Sequence, residues 1–170
     1  MNTGQSFLSL GAMALVSLII LQVNTGFVAT SSRLLDNKLN ILAISLASSI
    51  IEEASGKSFD ANTISDAVTN TSDLTYANSL SHGSTESYPN FNDFDDYNNL
   101  QITNSSMTSG EFDISSEVCY VNPTNPDVAA SVQTWHKKIT VYVTSKSLLN
   151  MEGNQDTIKM SSVFSYWHFR

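Results

Sequence analysis

Residues 7–23 (FLSLGAMALVSLIILQV) form a continuous, almost wholly apolar block, and the first charged side chain of the chain is Arg33. As a helix these residues span about 25 Å, the short end of what crosses a bilayer's hydrocarbon core. Helix-compatible sequence continues to about residue 54, with one weak point at Asn24-Thr25-Gly26. Beyond it, Leu35, Leu39, Leu42, Leu46 and Ile50 recur at the three-and-four spacing of one helical face, widened by Ile41, Ile44 and Ile51. Arg33, Asp36, Asn37 and Asn40 take the other side. Ala43, Ala47, Ser48 and Ala54 are small enough to let another backbone approach, and Gly56 is a helix stop.

After the helix the pattern fades. Residues 58–110 are rich in Ser, Thr, Asn and Asp, with a short helix predicted over 61–68 and loop elsewhere. Alternation then takes over. Phe112, Ile114, Val118 and Tyr120 share one parity, and Asn122-Pro123-Thr124-Asn125-Pro126 forces a turn or loop. Trp135, Ile139, Val141 and Val143 form a second set, with His136, Lys138, Thr140 and Thr144 opposite. Ile158, Met160, Phe164 and Tyr166 form a third, with Val163, Trp167 and Phe169 on its reverse. These sets predict an antiparallel meander of three strands with one face on the helical stripe, an α+β fold. The aromatic residues 164–169 are apolar on both faces, which predicts a central strand or one covered by a neighbour. Three regions follow: a membrane and amphipathic helix (1–56), a polar connection with an Asp-rich loop (57–110), and a sheet (111–170). The last forms one globular domain with residues 34–56.

The net charge of −8 is unevenly placed. Residues 52–127 hold thirteen acids and one base, Lys57, while residues 137–170 hold five bases and two acids. No basic stripe exists to neutralise phosphates, so no nucleic-acid partner is expected. The acidic middle reads as a solvated surface. One cysteine, Cys119, excludes an intrachain disulfide and a cysteine-built metal cage.

The apolar block is longer than a signal-peptide core, no base precedes it, and the nearest small-residue cleavage site is Val28-Ala29-Thr30-Ser31. A retained single-pass anchor is therefore expected, through Phe7, Leu10, Leu15, Leu18, Ile19 and Leu21. Counting Arg33 and Lys38 alone would leave the C-terminal side in the cytoplasm. The Ser/Thr/Asn-rich, aromatic-bearing domain reads instead as exported, which predicts a cell-envelope location, either inner membrane with an exported C-terminal domain or extracellular filament.

Candidate chemistry is sparse. Asp93, Asp95 and Asp96, with Asn90, Asn92 and Asn98, offer hard oxygen ligands of the kind Ca²⁺ takes, without the spacing of an EF-hand. A solvated turn pinned by Phe91, Phe94 and Tyr97 is the favoured reading of that segment. His82, His136 and His168 are scattered, and no nucleophile, oxyanion donor or phosphate loop is nominated. Neither an enzymatic activity nor a cofactor other than the Ca²⁺ candidate is expected.

An apolar helix running into an amphipathic one, then a polar loop and a C-terminal antiparallel sheet, resembles the type IV pilin and type II secretion pseudopilin superfamily. The segment Phe91-Asn-Asp-Phe-Asp-Asp-Tyr-Asn is similar to an Asp-rich loop of prepilin-like proteins. The resemblance implies processing after Gly4 to leave Gln5 first, and assembly with itself or other pilin-like subunits through the N-terminal helix. Ser9 stands where members carry a Glu, and Met1-Asn2-Thr3 holds no base, which marks a divergent member. The implied function is a structural subunit of a pilin-like or pseudopilus-like envelope assembly. The alternative is a membrane-anchored or signal-cleaved exported binding domain that does not polymerise.

Overall fold

A computed structural model describes residues 3–108, 110–150 and 153–169. The chain divides into two compact units, residues 1–38 and 39–170. One helix, α1 (Thr3–Ser55), provides the whole described part of the first unit and the opening of the second. It runs unbroken through Asn24-Thr25-Gly26, so the expected weak point is absent. Thr25 is accommodated because its hydroxyl donates back to the Leu21 and Gln22 carbonyls, at 3.1 and 3.0 Å. The helix ends one residue before Gly56, whose N–H still reaches the Glu52 carbonyl at 3.1 Å.

The second unit is an α+β domain. Its strands are β1 (Leu100–Asn104), β2 (Phe112–Asn122), β3 (Asn125–Ala129), β4 (His136–Leu149) and β5 (Gln155–Ser165). They form an antiparallel sheet in the order β1-β2-β4-β5, with β3 paired to the end of β2. Three of the strands lie where alternation predicts them. β1 falls inside the region read as loop, since five residues carrying two apolar side chains give too short a signal. β3 carries Pro126 and is exposed along its length, as an edge ribbon tolerates.

In β2 Phe112, Ile114, Ser116, Val118 and Tyr120 are all buried, and the alternation breaks only at Val121, which is buried as well. The aromatic tail does not form a central strand. β5 is an edge of the sheet and its strand stops at Ser165, after which residues 166–169 make a 3₁₀ turn. Phe164 and Tyr166 turn inward, while Val163 and Trp167 remain 45 % and 49 % exposed. The Phe169 and His168 side chains lie outside the described residues.

The predicted helical stripe is corrected by about one position. Leu39 and Ile50 are buried as expected, but the other fully buried positions of α1 are Ala43, Ala47 and Ala54. Leu42 and Leu46 flank this line, partly buried, and Leu35 is exposed with Ile41 and Ile44. Small side chains thus occupy most of the fully buried line, and the larger Leu42 and Leu46 pack at its margins. Residues 39–54 of α1 share one core with Phe112, Ile114, Val118, Tyr120, Ile139, Val141 and Val143. Enlarging a completely buried alanine should be costly. Ala47→Leu is expected to lower the unfolding free energy by ~1–3 kcal/mol through overpacking. Ile41→Ala should change it by under ~0.5 kcal/mol. Urea denaturation of both variants checks the difference.

Candidate functional site

The segment after α1 is polar in sequence but threads through the core. Phe59, Leu74, Leu80, Phe91, Phe94 and Tyr97 are all buried. Backbone bonds tie its start to its end: Phe94 N–H donates to Ser58 O at 2.9 Å, and Ser58 N–H to Asn92 O at 3.4 Å. That pairing sets Asp60 beside the Asp-rich turn. Asp60 also caps the 3₁₀ turn Ala61–Thr63 in a reciprocal capping box, all that forms of the helix predicted over 61–68.

The Asp-rich turn is buried, which corrects its reading as solvated: Asp93, Asp95 and Asp96 are 1–2 % exposed. The three aromatics pin it as expected, with Phe91 and Tyr97 edge to face at 5.1 Å. Tyr97 donates to Glu53 of α1 at 2.8 Å, and its carbonyl accepts from Ser116 of β2 at 2.6 Å. Asn98 donates to Leu80 O at 2.6 Å and accepts from Val118 N–H at 2.9 Å. The turn is thereby locked between helix and sheet.

What makes its burial tolerable is Lys137. This side chain is completely buried, its ammonium 2.7 Å from Asp60 Oδ2 and 2.8 Å from the Phe59 carbonyl. It also forms an ion pair with Asp95 Oδ1. The rings of Phe59 and Tyr120 lie 4.5 and 5.0 Å from Nζ. Asp60 is saturated with donors: Asn62 N–H, Thr75 N–H and hydroxyl, and the Tyr120 hydroxyl join the ammonium. Burial pushes its carboxyl up, but the Lys137 charge and these bonds outweigh it, so Asp60 is held below the usual range.

The neighbouring carboxyls go the other way. Burial pushes Asp95 up to about 7 against the pull of Lys137, and Asp93 up to about 6 with help from Asp96. Asp95 Oδ2 is buried with no hydrogen-bond partner. Asp93 Oδ1 accepts the Asp95 N–H at 2.7 Å, and Asp96 Oδ2 accepts the Asn92 N–H at 2.9 Å. Of the six oxygen ligands named from the sequence, these bonds engage Asp93, Asp95, Asp96 and Asn98 within the protein itself. Among the described residues no group of three or more His, Cys, Asp or Glu is arranged to hold a metal ion.

Sequence reasoning missed Lys137 and Asp60. Lys137 has the odd parity of Trp135, Ile139, Val141 and Val143, so the alternation itself placed a lysine on the core face of β4. A cation at a core-facing position demands a buried anion, and that was the available signal. The expected membrane residues Phe7, Leu10, Leu15, Leu18, Ile19 and Leu21 are all more than half exposed in the first unit. Gly4 and Gln5 lie near the start of α1 and are exposed.

Two outcomes are expected. Lys137→Met leaves two buried carboxyls without their cation and should cost about 3–5 kcal/mol in a denaturant titration. The raised carboxyls set a pH dependence. The folded chain holds a proton on Asp93 up to about 6, whereas an unfolded Asp loses it near ~3.9. Stability from this group is therefore full below pH ~4 and is lost as pH rises through the folded value. Asp60 has the opposite sign, its contribution being lost as pH falls. Asp93→Asn is expected to remove about 3 kcal/mol of the decline between pH ~4 and ~7.5, measured by urea unfolding across that range.

No family model, curated protein or solved structure matches this chain.

Proposed function

We propose that the chain is a structural subunit of a pilin-like or pseudopilus-like envelope assembly, held in the membrane and then in the assembly by the first half of α1. The observation that carries this reading is the contrast along one helix. Residues 39–54 bury a face in their own domain, while none of residues 3–38 is buried. The large apolar side chains of residues 7–23 are 55–78 % exposed. By length and composition this helix can cross a membrane.

Transfer of such a surface out of water is strongly favourable. At roughly 1.5–3 kcal/mol for each large apolar side chain, Phe7, Leu10, Leu15, Leu18, Ile19 and Leu21 together supply on the order of 10 kcal/mol. Hydroxyls in this stretch suit a dry surround because they bond within their own helix. Ser17 donates to Met13 O at 2.9 Å and Thr30 to Gly26 O at 2.9 Å. The same surface can exchange lipid for the equivalent helices of neighbouring subunits. The globular unit then forms the outer, exported part.

Leu15→Asp combined with Ile19→Asp is expected to shift most of the protein from the membrane to the soluble fraction. Retention of the double variant overturns the anchor. Mass spectrometry of the native N-terminus and sedimentation of the wild type separate the remaining readings. A start at Gln5 with recovery in filaments or a secretion complex supports assembly. An intact Met1 on a protein that stays monomeric in membranes leaves a plain anchored domain.

A further inference from the structure

We propose that Lys137 and Asp95 join in an intramolecular amide bond, closed with Asp60 as the proton carrier, so that β4 becomes covalently tied to the Asp-rich turn. This goes beyond the structural role proposed above and does not depend on it, since all three residues lie in the unit of residues 39–170.

The geometry supplies a nucleophile, an electrophile and a base in one dry place. Lys137 Nζ contacts both carboxyls, and the three side chains are at most 2 % exposed. Phe59 and Tyr120 wall the amine with their rings. Holding the reacting groups in contact raises their effective concentration by many orders of magnitude over a bimolecular encounter. Exclusion of water also favours the product, because amide formation removes two buried charges.

The two carboxyls are prepared for different parts. Asp60 is fixed by donors from Asn62, Thr75 and Tyr120, and so persists as an anion able to accept and return a proton. Asp95 has nothing to stabilise charge on Oδ2, which is buried without a partner. Asp95 is therefore the carboxyl that becomes the neutral acid.

The step balances without a co-reactant. A proton passes from the Lys137 ammonium to Asp95 Oδ1 along their hydrogen bond, leaving a neutral amine and a neutral acid. The amine lone pair attacks Asp95 Cγ and the N–C bond forms as the Cγ=Oδ2 π pair shifts onto Oδ2, to re-form the carbonyl when Oδ1 leaves. Asp60 Oδ2, 2.7 Å from Nζ, takes a proton from nitrogen and returns it to the Oδ1 hydroxyl. The Cγ–Oδ1 bond breaks, water departs, and Oδ2 remains as the amide carbonyl oxygen. Net charge is unchanged because one cation and one anion vanish together, and no atom changes oxidation state.

The test is the mass of the full-length wild-type protein, purified in detergent and denatured before measurement. The expected result is a chain one water lighter than its sequence requires, after the N-terminus has been assigned. Proteolysis should then release a branched peptide joining the segments that contain Lys137 and Asp95. A wild-type protein at full mass with no branched peptide overturns the proposal. A branch from Lys137 to Asp60 overturns the assignment of Asp95 as acceptor. Asp60→Asn, shown by circular dichroism to be folded, should stay at full mass, and a dehydrated Asp60→Asn protein overturns the role of Asp60. Because the wild-type measurement needs no variant, misfolding of a mutant cannot decide it, and failure of membrane anchoring would leave it untouched.

Discussion

A lysine ammonium with no access to water must be met by anions, and this domain is arranged around that requirement. Lys137 projects from the core face of β4 among largely aromatic and aliphatic side chains. The anions come from two places remote in sequence, Asp60 after the helix and Asp95 in the acidic turn. Meeting the ammonium fixes both segments against the sheet. The polar connection, which has little apolar periodicity of its own, is thereby made part of the core. Its aromatic residues then pack where the ion cluster has set the backbone, Phe59 against Phe164 and Tyr166, and Phe94 against Phe164.

Such a cluster is a poor source of stability compared with apolar packing of the same volume, because desolvating three charged groups offsets most of their attraction. Its value lies in specificity. A buried cation accepts few alternative arrangements of the chain around it, and Asp60, with its full set of donors, defines one of them closely. The excess of carboxyl over amine is settled by protonation, with Asp95 and Asp93 pushed toward neutrality. The same inequality gives the three side chains the separate chemical characters of base, acid and amine.

Helix α1 poses the complementary problem. Its last four turns solve the burial of apolar surface within the chain, by way of Leu39, Ala43, Ala47, Ile50 and Ala54. Its first 36 residues (Thr3 through Lys38) bury nothing. One element thus joins a domain with its own core to an exposed apolar stretch long enough to cross a membrane. That division of labour is what the proposed anchoring and assembly exploit.

Much of this was legible in the sequence. The apolar block, the helical spacing that follows, and the alternation of Phe112 through Tyr120 or Ile139 through Val143 each report local geometry, and local geometry is set by neighbours a few residues away. The α+β class follows from them directly. The candidate site was only half visible. The Asp93, Asp95 and Asp96 cluster stood out by composition, but its burial depended on a lysine 42 residues from Asp95 and 77 from Asp60. No local pattern encodes that meeting. The shift of the helical stripe onto its alanines has the same origin, since the sheet surface decides which side of an apolar helix can come closest. So does the placement of β5 at an edge, because strand order is a property of pairing and alternation is blind to it. Sequence determined which segments form helix and strand and which faces are apolar. Tertiary structure alone decided which charges are enclosed together, because the cost of burying a charge is felt only once distant segments close around it.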